Sequence, residues 1–368
     1  MRHVLSGIAM ALLILPAAAQ EATEGAWLAD AQTGCNLWNA TPREDEQVTW
    51  SGDCAEDKAQ GEGVAVWTAA TGDEEIRYEG GYRDGLMHGD GRLALANGAS
   101  YDGEFRDNGF DGRGIYTWPN GARYDGQFDD GRMNGQGVLV LADGSRYEGS
   151  IRDGKEHGRG VYAWANGDRY EGDFVDGLRT GQGIYVWANG NRYEGAFRDN
   201  ARTGKGTYVS ADGARYDGDF LNGRPHGRGT FTSADGDAYN GDFIAGKRHG
   251  RGRYVTAEGD RYDGEYRDGE RAGQGVLIWA NGDRYEGAFR DGKRNGQGVM
   301  VWQGGSRYEG VFRDGKAHGT GILILADGGR FEGEFVDGNA HGAGTCRDAA
   351  GNWGKCELNR GEFVRWLE

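Results

Sequence analysis

An all-β chain of successive antiparallel β-hairpins is what the sequence predicts, and three observations predict it. Leading aromatic residues recur at a fixed interval. Tyr78, Tyr101, Tyr124, Tyr147, Tyr170, Tyr193, Tyr216, Tyr239, Tyr262, Tyr285, Tyr308 and Phe331 are spaced by 23 residues, without insertion or deletion. Around each, aromatic residues and glycine alternate with charged residues, as in Arg169-Tyr170-Glu171-Gly172-Asp173-Phe174, which is the two-residue period of a strand. Asp-Gly and Asn-Gly pairs punctuate the alternation, and such pairs supply the positive φ angles that tight hairpin turns require. The 71 glycines of the 368 residues therefore belong to a repeat. With only 4 prolines and no three-residue glycine period they exclude collagen, and the wealth of aromatic residues argues against disorder.

Residues 1–19 read as a secretory signal peptide, with Arg2 and His3, an apolar run over residues 4–15, and Ala17-Ala18-Ala19 as a cleavage site before Gln20. The run is shorter than the ~20 residues of a membrane-spanning helix. The mature chain is expected to be exported, to the periplasm or the extracellular space. Without Arg2 it carries 41 basic against 58 acidic residues, a net charge of −17. Nucleic acids and anionic membranes both select a basic footprint, so neither is an expected partner. Residues 20–34 carry little pattern and read as a linker. In residues 35–77, Cys35-Asn36-Leu37-Trp38 and Val48-Thr49-Trp50 flank a polar loop and read as an N-terminal capping hairpin. Trp50, Gly52, Cys54, Gly61 and Gly63 hold the offsets of a degenerate repeat. Twelve full repeats occupy residues 78–353. Residues 354–368 form a C-terminal cap, of which 361–367 are expected to cover the end of the array.

Positions within a repeat are counted here from its leading ring. Glycine stands at +2, and an aromatic residue at +4 except for Ile151; two further glycines stand at +11 and +13, as Gly181 and Gly183. The second strand is β-branched and aromatic, as in Gly183-Ile184-Tyr185-Val186-Trp187. At +7 only Asn108 and Asn200 replace glycine, and asparagine best tolerates the left-handed region. Glycine inside a strand normally weakens a sheet. Here the glycines fall between rings on one face, so the rings are expected to lie over bare backbone.

The pattern Tyr-x-Gly-x-aromatic, then Gly, then Gly-x-Gly, within 23 residues, resembles the MORN repeat (membrane occupation and recognition nexus) over about residues 50–353. The resemblance implies an elongated, twisted, single-layer sheet of hairpins whose ends need capping. Two strands per repeat at ~4.8 Å each would advance the array roughly 10 Å per repeat, on the order of 120 Å in all. The four cysteines sit at its two ends, and their clustering favours Cys35–Cys54 and Cys346–Cys356 among three possible pairings. A disulfide closing about 15 residues contributes ~3 kcal/mol, enough to suppress fraying. A metal site at these cysteines lacks C-x-x-C spacing and nearby histidine.

Strict periodicity turns shared offsets into rows. Six histidines share one row (His88, His157, His226, His249, His318, His341), but repeats roughly 10 Å apart cannot converge on one ion, so these read as surface turn residues. Arginine before the leading ring and an acid after it, as Arg169 and Glu171, read as a solvated ladder on the face opposite the rings. No G-x-S-x-G, P-loop or H-E-x-x-H is present, so no catalytic residue, metal or cofactor is expected. The candidate binding residues are Trp164, Trp187, Trp279 and Trp302, with Tyr162 and Tyr185 two positions before the first pair. Leu95, Leu141, Leu325, Ser210 and Ser233 interrupt the tryptophan row and leave two short platforms. These rings either shield the glycine-lined face from water or receive a partner. The expected function is a non-enzymatic scaffold or spacer binding proteins, self-association included. Glycan binding along the tryptophans is the alternative, and peripheral lipid binding is a third reading that rests on the family resemblance.

Overall fold

A computed structural model describes residues 25–70, 72 and 75–368. The signal-peptide reading of residues 1–19 lies outside them. The described residues form β-strands joined by turns, with no helix among them. The chain divides into two compact units, one ending at Ala188 and one beginning at Asn189. In the first, strand Gln47–Trp50 pairs with Lys58–Thr68, and each later strand pairs with the next as far as Leu178–Val186. In the second, the antiparallel succession runs from Arg192–Arg198 to Glu362–Leu367.

The repeat of Tyr170 shows how the sequence produces its hairpin. Arg169–Val175 pairs with Leu178–Val186, with Tyr170 opposite Tyr185 and Gly172 opposite Gly183, and a bulge follows at Gly172/Asp173. Asp176 (φ 49°) and Gly177 (φ 83°) both have positive φ, the requirement of a type I′ turn, whose twist matches that of the flanking strands. The Asn-Gly turns between repeats differ from this expectation. Trp164 N bonds Asp168 O at 2.9 Å and Gly167 N bonds Trp164 O at 2.9 Å, a three-residue loop in which Gly167, and not Asn166, takes the positive φ.

The core is one face of the sheet closed by its own side chains. The Tyr170 ring lies across the facing pair Gly172 and Gly183, where a Cβ on either would stand 2.5 Å from its hydroxyl. The expectation that the rings cover bare backbone holds. Tyrosine does more than cover: Tyr170 Oη donates to Asp173 O at 3.1 Å, and the same bond to the +3 carbonyl recurs at Tyr124, Tyr239 and Tyr308 at 3.0 Å. Phe174 stands edge-on to Tyr170 at 5.1 Å and to Tyr147 of the preceding repeat at 5.4 Å. In the second unit Phe220 bridges Tyr216 and Tyr193 in the same way, at 5.1 and 5.0 Å. Edge-to-face pairing of this kind is worth ~0.5–1.5 kcal/mol per pair beyond burial. It therefore ties each repeat to its neighbour as well as to itself.

Both disulfides form, Cys35–Cys54 and Cys346–Cys356. The degenerate repeat behaves as a repeat: Trp50 lies over Gly52 and Gly63, and its Nε1 donates to Asp53 O at 2.8 Å, the +3 carbonyl again. The capping hairpin is paired differently from the expectation. Asn36–Asn39 pairs with Ala26–Ala29, not with Gln47–Trp50. Part of the stretch read as a linker is thus a strand, held by Trp27 against Trp38 at 5.3 Å and by the cysteine beside it. At the other end, Cys356 occupies the +2 position of a last incomplete repeat beginning at Gly354, so a disulfide stands where a ring would cover glycine. Glu362–Leu367 pairs with Trp353–Asn359 as one more strand of the sheet; Trp366 covers Gly354, while Phe363 and Val364 are exposed.

Candidate interaction face

The second strand of each repeat ends one residue before its tryptophan position, whose backbone closes the following loop, as Trp164 and Trp279 do. This puts the indole on the ring-bearing face, beside a turn and outside the buried tyrosines. In the first unit Tyr162 stacks on Trp164 at 4.5 Å, Trp164 meets Tyr185 at 5.4 Å, and Tyr185 meets Trp187 at 4.6 Å. All four are half-buried, whereas Tyr147 and Tyr170 beneath them are buried. In the second unit Trp279 is half-buried and Trp302 is 37% exposed. The structure therefore joins Tyr162, Trp164, Tyr185 and Trp187 into one run of touching rings.

A row that sequence reasoning missed lies among these rings. Position +9 is arginine in five repeats: Arg179, Arg202, Arg248, Arg271 and Arg294. Arg179 sits over Trp164, Tyr170 and Tyr185 at 5.5, 5.7 and 5.1 Å. In the second unit Arg248 lies over Tyr254 at 5.0 Å and Tyr266 at 5.2 Å, and Arg294 over Trp279 at 5.5 Å and Phe312 at 5.3 Å. These cations fill the space between rings of successive repeats, and Arg202, Arg248 and Arg294 also bond the next hairpin turn: Arg248 Nη2 donates to Gly269 O at 3.0 Å. The 23-residue recurrence was the available signal. Glu156, Pro225, Ala317 and other residues at the same offset diluted it.

Two of these arginines belong to an acid–tyrosine arrangement. Tyr185 Oη donates to Asp168 at 2.7 Å beside Arg179, and Tyr254 Oη donates to Asp237 beside Arg248. Burial opposes the Asp168 carboxylate, but bonds from Tyr185, Ala188 and Asn166 and the Arg179 charge outweigh it and hold its pKa low. Burial first, then Asp168, pushes Tyr185 up. Burial, with Glu156 and Asp143 nearby, pushes Tyr162 up to about 12. Burial also lowers Arg179, but from so high a starting value that it stays cationic at neutral pH. Asp168 carries a second duty, accepting from Ala188 N at 2.8 Å in the next loop, as Asp260 does from Ala280 N and Asp283 from Gln303 N at the same distance.

The opposite face carries the arginine–acid ladder: Arg123–Asp125 at 2.8 Å, Arg169–Glu171 at 2.7 Å, Arg307–Glu309 at 2.6 Å, all solvent-exposed. Pairs of this kind contribute ~0–1 kcal/mol each and serve solubility more than stability. The histidines lie against turns; His88 and His157 each reach the aspartate of the next hairpin turn at 3.5 Å. Among the described residues no three His, Cys, Asp or Glu side chains are grouped to hold a metal ion.

The family model described as MORN repeat matches twelve consecutive segments, from residues 78–100 through 331–353. No curated protein matches the chain. Among solved structures, the chain is similar to the TCP10 domain of Danio rerio CPAP at 11% identity, over 69% of this chain and 99% of that one, with a TM-score of 0.22. It is similar to the SAS-4 (dCPAP) TCP domain of Drosophila melanogaster, in complex with a proline rich motif of Ana2 (dSTIL), at 13% identity, 54% and 88% coverage and a TM-score of 0.22. Virginiamycin B lyase from Staphylococcus aureus follows at 8% identity, 79% and 100% coverage and a TM-score of 0.12. Superposition at these scores is too poor to equate the folds.

Proposed function

The chain belongs to the MORN repeat family, and from that premise we propose that it is a non-enzymatic scaffold, exported into an oxidising compartment, that holds protein partners along the ring-bearing face of its repeats. The observation that carries this reading is the run Tyr162–Trp164–Tyr185–Trp187. Packing consumes the tyrosines at +0 completely, yet these outer rings keep part of their surface in water. Exposed aromatic surface beside arginine is the composition of protein interaction sites. Export is supported by the leader-like residues 1–19 and by two disulfides, which persist in oxidising compartments.

Sugar stacking needs open ring faces, and here Tyr162 and Arg179 lie over Trp164 while Arg294 lies over Trp279. That favours a protein partner over a glycan. A net charge of −17 after leader removal opposes anionic lipid. The test is photo-cross-linking in the producing cells, with a photoreactive residue at Trp187 and, as control, at Arg159, whose 82% exposed side chain lies on the other face. Protein adducts from position 187 and none from 159 are expected. Adducts to glycan or lipid, or equal yields from both faces, would reject the reading.

A further inference from the structure

Asn339–Arg347 and Trp353–Asn359 are paired along both edges, whereas among the described residues Glu362–Leu367 is paired along one only. Its outer edge carries backbone N–H and C=O groups that face no strand, a template for one more antiparallel strand. The bulge at Val364 does not forbid this. A like register shift interrupts Asn339–Arg347 against Arg330–Val336, and Asn339–Arg347 still pairs onward. The side chains at this edge are also short of cover: Phe363, Val364 and Trp366 are 52%, 51% and 45% exposed. Ala317 and Ala340 stand at +9, where five repeats carry arginine, and leave a cavity of about 640 Å³ whose lining reaches Phe363 and Trp366.

A strand that pairs with its own copy about a two-fold axis must be complementary to itself. Phe363 and Trp366 lie opposite Leu358 and Cys356 and touch at 5.4 Å, so the bulge puts both on the ring face. Glu362, Arg365 and Leu367 lie opposite Asn359, Glu357 and Lys355 on the ladder face. Face matching across the seam then sets Phe363 against Trp366 of the second copy, and Glu362 against its Leu367; a slip of one residue would set rings against the ladder face. This register uses the whole strand and brings four rings together on one face. The two Arg365 side chains approach near the axis, but each keeps Glu357 at 2.7 Å and gains Glu362 of the other copy on the diagonal, within reach of long side chains. Neither cation is left without a carboxylate. A strand from an unrelated protein would have to match the rings, the bulge and the charges separately; the second copy matches all three by symmetry.

The first strand of the succession, Gln47–Trp50, is closed by contrast. Val48 and Trp50 are buried, and the outward N–H of Trp50 donates to the buried carboxylate of Asp30 at 3.4 Å. A charged side chain turned onto an edge is a known block to strand addition. Head-to-tail growth therefore lacks a second open edge, and the remaining mode is a closed pair.

We infer that Glu362–Leu367 is a homodimer seam, pairing antiparallel with the same strand of a second copy and setting Phe363 against Trp366 across the two-fold axis. The inference does not draw on the binding of other proteins along the ring face, so cross-links from position 187 and the seam can fail separately. The test is sedimentation equilibrium of the mature full-length chain, with a mass of two chains expected. Phe363→Lys together with Trp366→Lys should weaken association by about tenfold or more, because lysines then face one another across the seam. The four native cysteines are already paired, so engineered thiols report cleanly. On mild oxidation, a mixture of Phe363→Cys and Trp366→Cys chains should give an interchain disulfide between the two variants, and neither variant alone should do so. This second measurement decides the case if the lysine variant frays its last strand. A monomer at every concentration, a dimer indifferent to the lysine substitutions, assemblies larger than two, or cross-linking of either cysteine variant with itself overturns the inference.

Discussion

Replacing Gly172 by alanine tests the packing logic of the whole array with a single methyl group. Its backbone is extended, so alanine carries no φ penalty there, and the cost is purely one of space. The new Cβ would stand 2.5 Å from Tyr170 Oη and 2.6 Å from both Gln182 O and Gly183 Cα. Ordinary contacts to carbon lie near 3.5–4.0 Å. Two of the three obstacles are backbone of the paired strand, so the strands must part by on the order of 1 Å and the ring must lift. That forfeits the Tyr170–Asp173 bond, worth about 1 kcal/mol, and weakens the edge contacts of Phe174, ~0.5–1.5 kcal/mol each. Overpacking itself adds ~1–3 kcal/mol. A total of roughly 3–5 kcal/mol is expected for Gly172→Ala. Asp173→Ala loses mainly the exposed bond from Gln182 N at 3.0 Å and should cost ~0.5–1 kcal/mol. Gly177→Ala, at φ +83°, should fall between them at about 1–2 kcal/mol. Urea unfolding followed by circular dichroism gives the ranking. Hydrogen exchange in Arg169–Val175 and Leu178–Val186 shows whether the loss is local, as the repeat architecture requires. Equal stability of the Gly172 and Asp173 variants would refute the claim that rings seated on bare backbone hold the sheet.

Further outcomes follow from the same structure. Reduction of the disulfides should raise exchange in Asn36–Asn39 and in Trp353–Asn359 before the central repeats respond; uniform destabilisation would contradict their role as end staples. Burial raises the repeat tyrosines, Tyr170, Tyr193 and Tyr285 to about 12, whereas unfolded tyrosine ionises near 10. The neutral form is thus favoured by folding, so the stabilisation is complete below about pH 10 and is lost as pH rises towards 12. Melting temperature should be insensitive to this term up to pH 9 and fall beyond pH 10, with tyrosinate absorbance lagging behind that of the denatured chain. Full native ionisation at pH 10 without unfolding would reject it. Mature protein should not co-sediment with anionic liposomes at physiological salt, since its charge is −17 and its surface arginines are interleaved with acids; strong, salt-sensitive sedimentation would restore the lipid reading.

Most of the fold was legible because a strict period prints every structural demand twelve times. Glycine at +2 and +13 could be read as the seat of a ring, and Asp-Gly as a two-residue turn, from recurrence alone. What resisted reading was whatever occurs once. Ala26–Ala29 is too short to show alternation, and its pairing depends on Trp38 and the Cys35 bridge, which are tertiary facts. The Asn-Gly loops looked like the Asp-Gly turns, but one extra loop residue moves the positive φ to glycine alone. The tryptophans were found by type, yet the arginines over them were not, because the same offset also holds acid, proline and alanine. The cavity near Ala317 and Ala340 is legible only as a gap in a row, so the row must be known first.

The account stands on one face serving both as core and as binding surface, with the buried tyrosines holding the sheet and the outer rings receiving a protein. Its most direct test is the affinity of the partner recovered by cross-linking for the variant Trp164→Ala with Trp187→Ala, compared with the unmodified chain by titration calorimetry. A loss of tenfold or more is expected, with the Tyr147 and Tyr170 core intact and the melting temperature lowered by no more than a few degrees. Undiminished affinity in a folded double variant would contradict it and leave these indoles as cover for the sheet alone.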